Sequence, residues 1–343
     1  AKTKGVFIDF LNHPASTPKG AALFHLKTNA PMVFVSCMEQ SPNNYEVNCE
    51  KVISKSCDPV KDIAQRYSTM LEETIKKHVQ NCDIISTSKK EMDVTDRKEV
   101  LSYVESKMDI IIHCAAKVNA DFCEKYPKES FREIVSGTNN IISLAQKTNA
   151  KLFYPQSFLI FDGKSLPIDE GTAPNPLSKY GKDKLIAEKN VLANLSNSLI
   201  VRMGGFFGGY KKDKNFVGKI VPHISKLIQA GKETLEIGNR VWQPTYTNDL
   251  AYNCLILLAD DKKGVYNMAS HGKASFYVLT LKIISLLKID REINIVPISS
   301  SKFSKKENAK RPEIVIMDNK KLKQESIDFQ RDWKHGLKEY LSH

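Results

Sequence analysis

The 343-residue sequence contains no run of roughly eighteen apolar residues, so no stretch reads as a membrane-spanning helix. It contains no CxxC pair. Its seven cysteines, at positions 37, 49, 57, 82, 114, 123 and 254, are scattered and odd in number, which favours reduced thiols over a disulfide framework. There is no HExxH and no cluster among the eight histidines, so a metal site is not expected. The opening AKTKGVFIDF lacks the form of a signal peptide, and a cytoplasmic location is expected. The basic runs lack interleaved aromatics, and no zinc-finger spacing occurs, so nucleic acid is not an expected partner.

What is present is an ordinary globular composition, 41% hydrophobic and 26% charged, with a formal net charge of +12. Residues 1–80 carry ten Lys/Arg and eight Asp/Glu, so most of the excess lies downstream. Short lysine runs such as GYKKDK and SKFSKKENAKR read as a solvated face, or as a field attracting an acidic substrate such as a diphosphate.

The first eighty residues read as strands at GVFIDFL, PMVFVSCM and YEVNCEKV, a loop and helix over ASTPKGAALFHLKTN, and a long helix from DPVKDI to KKHV. Near residue 80 the rhythm changes. A short strand CDIISTS, a helix TDRKEVLSYVESK and a buried strand MDIIIHCAA come first. A helix over PKESFREIVSGTNNIISLAQKTN, the strand KLFYPQSFLIF, a helix over NPLSKYGKDKLIAEKNVLANLS and the strand SLIVRMGGFFG follow. This βαβ alternation predicts a parallel sheet covered by helices. Further helices are expected at 216–230, over NDLAYNCLILLADD and over FQRDWKHGLKEYL.

The stretch SKYGKDK places Tyr180 one helical turn before Lys184. A tyrosine is protonated near neutrality and can exchange its proton there only if its anion is stabilised. An ammonium on the same helix face would lower its pKa and could hold a ribose. Ser157, ending the strand KLFYPQS, could hold a substrate carbonyl. On a parallel-sheet framework these residue types suit hydride-transfer chemistry, whereas YxxxK alone is equally a solvent-facing pair. His113 and Cys114 read as packing beside the crevice, and Arg202 as a structural ion-pair partner. Lys214 and Arg240, on polar loops, are candidate diphosphate contacts. Asn215 begins a helix, where an anion or sugar could sit, and Trp242 could stack on a base or sugar or simply pack.

Residues from about 82 to 343 resemble the extended short-chain dehydrogenase/reductases, in particular the dTDP-4-dehydrorhamnose reductase-like group. EMDVTDRKEV, DIIIHCAA, FLIFDG with DEGTAPNPLSKYGKDKLIAE, GNRVWQPTYTNDLA, and AKRPEIVIMDNKKL with DWKHGLKEYL carry the resemblance. It implies an α/β fold with a Rossmann-like, doubly wound parallel sheet and a smaller substrate lobe, mainly 214–235 and 270–312. It implies Ser157, Tyr180 and Lys184 as catalytic residues. Asp93, Val94, Cys114, Ala115, Ala116, Tyr180, Lys184 and Gly204 would line an NAD(P)H site. Lys214, Asn215, Arg240 and Trp242 would face a nucleotide-sugar substrate, and the protein could form a homo-oligomer.

The chain departs from the pattern. Gln156, Ser157, Phe158 and Leu159 stand where the family usually has Ser-Thr-Asp-Tyr, and Ile134 where it has an asparagine. The glycine-rich turn that cradles a pyrophosphate at a helix N-terminus has no counterpart in residues 1–80, which hold no GxxGxxG. The expected sheet is therefore incomplete and dinucleotide binding weak or absent. Residues 1–80 instead resemble the carboxyl-side part of a lipid A biosynthesis acyltransferase, read as a separate α/β fragment. His13 and His25 are followed five positions later by Pro18 and Ala30, so the HxxxxD base of that family is missing. Three functions follow: a reductase of a 4-keto sugar nucleotide, a cofactor-free structural or regulatory remnant of that fold, or residual acyl transfer.

Overall fold

In the computed structural model the described residues are 85–209, 215–289, 293–299, 302 and 307–342, together with the backbone of 6–10, 13–17, 32–41 and 44–52. The chain divides into two compact units, Ala1–Ser86 and Thr87–His343.

The first unit contains two antiparallel pairs. β1 (Val6–Phe10) pairs with β2 (His13–Thr17), and β3 (Met32–Ser41) pairs with β4 (Asn44–Val52). Residues 15–17, expected in a loop, are in β2: their pairing with β1 gives these backbone groups sheet partners. The helix expected over residues 58–79 lies outside the described residues.

The second unit is built on a four-stranded parallel sheet. Its strands are β5 (Ile110–Ile112), β6 (Lys151–Ser157), β7 (Ser198–Met203) and β9 (Gly264–Met268), in the order β9-β7-β6-β5. Alternation of side chains sends Ile111, Leu152, Tyr154 and Ile200 to one face. There they pack with α4 (Gly137–Thr148) and α5 (Lys179–Asn194). Phe153, Leu199, Val201 and Tyr266 go to the other, against α7 (Thr247–Ala259). Helices on both faces of a parallel sheet make this the doubly wound, Rossmann-like arrangement expected.

Two expected strands differ. CDIISTS forms no strand over its described residues 85–88. The strand at MDIIIHCAA is short and half-uncovered: Ile110 and Ile112 are 42% and 55% exposed. The cause is position. Among the described residues β5 pairs with β6 alone, and the α7 layer reaches Phe153 and Leu199 without covering β5.

Helix ends follow local chemistry. Asp96 caps α1 (Arg97–Leu101) by accepting from Lys98 N at 2.8 Å. Asn119 caps α2 (Ala120–Lys125) by accepting from Phe122 N at 3.0 Å. A short helix α3 (Pro127–Phe131), with proline in its first turn, runs through a π-turn (Arg132–Ser136) into α4, which ends at Asn149 with φ 55°.

The smaller lobe packs α6 (Phe216–Gln229), α8 (Phe276–Leu287) and α9 (Trp333–Leu341) around strands β8 (Thr234–Gly238) and β10 (Asn294–Ile298), which are paired in parallel. Buried amides fasten the carboxyl-side chain to both parts of this unit. Gln243 bonds both the N–H and the carbonyl of Met317. Asn267 donates to the carbonyls of Ile168 and Asp318, and Asn253 donates to that of Ile327. Asp249, at the start of α7, takes a forked ion pair from Arg331, with Nη2 at 2.6 Å.

Candidate active site

The carboxyl ends of β5, β6 and β7 open toward the first turns of α5, the location where parallel α/β sheets hold ligands. Ser178 caps α5 by accepting from Gly181 N at 3.2 Å, which starts the helix two residues before Tyr180. Gly181 is there for space. A Cβ at this position would lie 2.3 Å from the carbonyl oxygen of Leu159 and 2.9 Å from Pro176 Cβ. Helix α5 thus approaches the turn after β6 closely enough to set Tyr180 beside Ser157. Gly181→Ala should destabilise the fold by about 1–3 kcal/mol despite alanine's better helix propensity, because a backbone carbonyl must move. Urea unfolding midpoints of the two proteins check this.

Tyr180 is 7% exposed. Burial pushes its phenol up to about 12, a hydrogen bond with Ser157 opposes the rise, and Cys123 adds to it. The expected depression by Lys184 is not what the structure gives. The amine instead donates to the Pro155 carbonyl at 2.8 Å and lies 3.9 Å from the centre of the Tyr154 ring. Tyr180 is accordingly a phenol, able to donate, through the neutral range. Lys184 is 4% exposed, and burial draws its pKa down to about 7 against the attraction of Glu188 and Cys114. Between about 7 and its ordinary 10.5 the unfolded chain carries a proton at this position that the folded chain lacks. Stability therefore gains with rising pH across that window. In Lys184→Met that contribution disappears, so the stability difference between the two proteins should shift in favour of the wild type from pH 7 to pH 10. Paired denaturation curves across that range measure it.

Among the described residues around this pair most polar groups have partners, the buried Tyr154 hydroxyl excepted. His113 is buried, its pKa drawn down to about 3 by burial and by Lys184, so its ring is neutral. Its Nε2 lies 3.1 Å from Thr138 Oγ1, whose own proton goes to the Ile134 carbonyl at 2.6 Å. Nε2 is therefore the protonated ring nitrogen. Ile134 is buried in the core. Ser157 Oγ accepts from Leu159 N at 3.2 Å. Cys114 and Ala115 are exposed just beyond β5, and Ala116 is half-buried.

Other expected contacts are placed differently. Asp93 Oδ1 accepts from Thr95 N at 2.9 Å, and its backbone N–H donates to Glu99, so its carboxylate holds a turn. Val94 packs against Gly137, and its carbonyl accepts from Asn140 at 2.9 Å. Gly204 is a close-packing position, where a Cβ would meet Ala269 Cβ and Thr245 Oγ1 at 2.9 Å. Arg240, on a polar loop as expected, makes a forked ion pair with Glu307 at 3.0 and 2.8 Å. A carboxylate neutralises its charge before any diphosphate could. Trp242 is 8% exposed and packs flat over Gly205 and against Phe276, so it belongs to the lobe core. Asn215 stands at the N-cap of α6. Lys214 lies outside the described residues.

The sequence reading missed the buried polar group beneath the pair. Glu188 takes Arg202 at 2.5 Å and Gln156 Nε2 at 2.8 Å. Tyr180, Lys184 and Glu188 fall at i, i+4 and i+8, one face of α5, and that spacing was the available signal.

Residues 68–343, well over half of the chain, match the family described as RmlD substrate binding domain. The chain belongs to the RmlD substrate-binding domain family. Among relatives of this family, the spore coat polysaccharide biosynthesis protein SpsK of Bacillus subtilis is 25% identical over 263 residues, 76% of this chain and 88% of that protein. A dTDP-4-keto-6-deoxy-D-glucose reductase of Streptomyces niveus is 27% identical, covering 75% and 87%. The beta subunit of methionine adenosyltransferase 2 of Xenopus tropicalis is 27% identical, covering 73% and 75%. The dTDP-4-dehydrorhamnose reductase of Clostridium acetobutylicum superposes with a TM-score of 0.70 at 29% identity, covering 79% of this chain and 95% of that one. The Bacillus anthracis dTDP-4-dehydrorhamnose reductase, solved with NADP, gives 0.70 at 26%, with the same coverage.

The residues of this RmlD-family chain fit one end of such a dinucleotide. Lys184, Tyr180 and the exposed Cys114–Ala115 turn suit the ribose and nicotinamide. For the diphosphate the fit fails: among the described residues no glycine-rich strand–turn–helix exists, and the only glycines before Gly137 are Gly5 and Gly20.

Proposed function

We propose that the chain is an NAD(P)-dependent reductase of a 4-keto sugar nucleotide. The observation that carries this reading is the constellation of half-buried Ser157 with buried Tyr180 and Lys184 at the carboxyl ends of a parallel sheet, in a family whose relatives include sugar-nucleotide reductases. A dinucleotide, where bound, would supply hydride. In this reading Ser157 holds the carbonyl oxygen, and Tyr180, protonated at neutral pH, holds the proton that the developing alkoxide takes. Lys184 would hold the ribose hydroxyls. Asn215 and Lys214 are the substrate-side candidates of this reading, and Arg240 and Trp242 are left out of it because Glu307 and the lobe core hold them. The described cysteines, Cys114, Cys123 and Cys254, are free, which suits a reducing compartment such as the cytoplasm. No helix among the described residues is long and apolar enough to cross a membrane. The test is turnover of a dTDP-4-keto-6-deoxy sugar by the purified chain with saturating NADPH, followed at 340 nm. Absence of turnover at millimolar cofactor sinks the reading.

A second reading has its own support. The missing diphosphate turn and the similarity to a protein named as a subunit of another enzyme favour a regulatory remnant of the fold. Under it the chain would show neither turnover nor dinucleotide binding.

A further inference from the structure

We infer that Gln156 is a positioning residue that locks Ser157 and Lys184 into one register. This rests on the reductase reading only for its effect on turnover; the lock itself is a property of the folded chain. A single buried amide, 3% exposed, makes three hydrogen bonds. Its Oε1 accepts from Ser157 N at 2.8 Å, and its Nε2 donates to the Lys184 carbonyl at 3.0 Å and to Glu188 Oε2 at 2.8 Å.

The consequence is geometric. Ser157 ends β6 and Lys184 lies in α5, two elements that otherwise meet through side-chain packing and through bonds at the tips of flexible or rotatable groups, the Lys184 amine on the Pro155 carbonyl and the Tyr180–Ser157 hydrogen bond. The Gln156 amide ties the backbone at one to the backbone at the other. Glu188 fixes which way the amide faces: its carboxylate accepts only from the NH₂ end, leaving the carbonyl end for Ser157 N. Glu188 is itself held. Arg202, on β7 beside Gln156, reaches both of its oxygens, Nη2 at 2.5 Å and Nε at 3.3 Å. Arg202 Nη1 also donates to the Glu170 carbonyl at 3.2 Å. The chain of bonds thus runs from β7 through α5 to the end of β6, and every link is buried or nearly so.

Gln156→Met tests this, because it keeps length and approximate volume and removes all three bonds. Hydrogen exchange of the cofactor-free chain is read by mass spectrometry. Peptides covering 155–158 and 184–188 should exchange about tenfold faster, with 198–203 of the neighbouring strand unchanged. In the active enzyme kcat should fall about tenfold while KM for the sugar nucleotide stays within about twofold, since a misplaced Ser157 is felt in the reaction rather than in sugar binding. Unchanged exchange at both peptides overturns the inference. So does an equal rise across β6, β7 and α5, which would mark a general packing loss, and so does an unaltered kcat. If the wild-type chain has no turnover, the reductase reading fails and the exchange pattern alone decides the lock. If Gln156→Met does not fold, Gln156→Asn is read the same way. It keeps both ends of the amide one methylene short and should loosen the same two peptides.

Discussion

Tyr180→Phe removes turnover while leaving the fold in place. The substitution deletes one oxygen from a residue whose ring is buried beside Ser157, so packing is conserved and the hydrogen bond to Ser157 is lost. Burial holds the wild-type phenol up to about 12, so it is protonated wherever the enzyme would be assayed. A protonated donor at this point is what a carbonyl becoming an alcohol requires, and removing a positioned acid costs roughly 10²–10⁴-fold in rate. The expected result is a drop in kcat of that size with an unshifted far-UV spectrum. A Phe variant retaining wild-type kcat would take Tyr180 out of the mechanism. The same pKa gives a second sign: deprotonation of Tyr180 should not limit the rate below about pH 11, so any alkaline loss of activity nearer neutrality belongs to another group. Lys184, held near 7, is the foremost candidate for that loss.

Dinucleotide affinity should be poor. A diphosphate held at a glycine-rich turn receives backbone N–H bonds to charged oxygens, each worth roughly 1.5–3 kcal/mol. Two such bonds missing weaken binding about a hundredfold or more. Before Gly137 the sequence offers Gly5 and Gly20 only, too few and too far apart for the turn. Fluorescence titration with NADPH should therefore give a Kd at least about a hundredfold above that of a relative possessing the turn, such as the Bacillus anthracis reductase solved with NADP. Low-micromolar binding would refute this and would mean that other donors replace the cradle.

The parallel strands from KLFYPQS onward were legible because they are long, apolar and bounded by proline, glycine and capping residues. The strand at MDIIIHCAA shows the limit. Three consecutive isoleucines report hydrophobicity, yet burial depends on a neighbouring layer that no local pattern encodes. Ser157 and Tyr180 were placed together correctly because strand end and helix start follow from periodicity. The partner of Lys184 was not, since its contact with the Tyr154 ring and the Pro155 carbonyl depends on how closely α5 approaches β6, a distance set by Gly181. Arg240 and, for the stacking half of its reading, Trp242 are engaged elsewhere for one reason. A loop residue looks available in sequence, while Glu307 and Phe276, which occupy them, lie 67 and 34 positions away.

The buried amides at Gln243, Asn253 and Asn267 impose an order on synthesis. The carbonyls of Met317, Ile327 and Asp318 that they bond lie 74, 74 and 51 positions later in the chain, so none of the three amides completes its hydrogen bonds until residues 317–327 have left the ribosome. Such distant pairings are slow to find. The nascent chain therefore carries its parallel sheet for on the order of seconds with the surface that Leu322 and Ile327 later cover unprotected, an interval in which chaperone capture competes with aggregation.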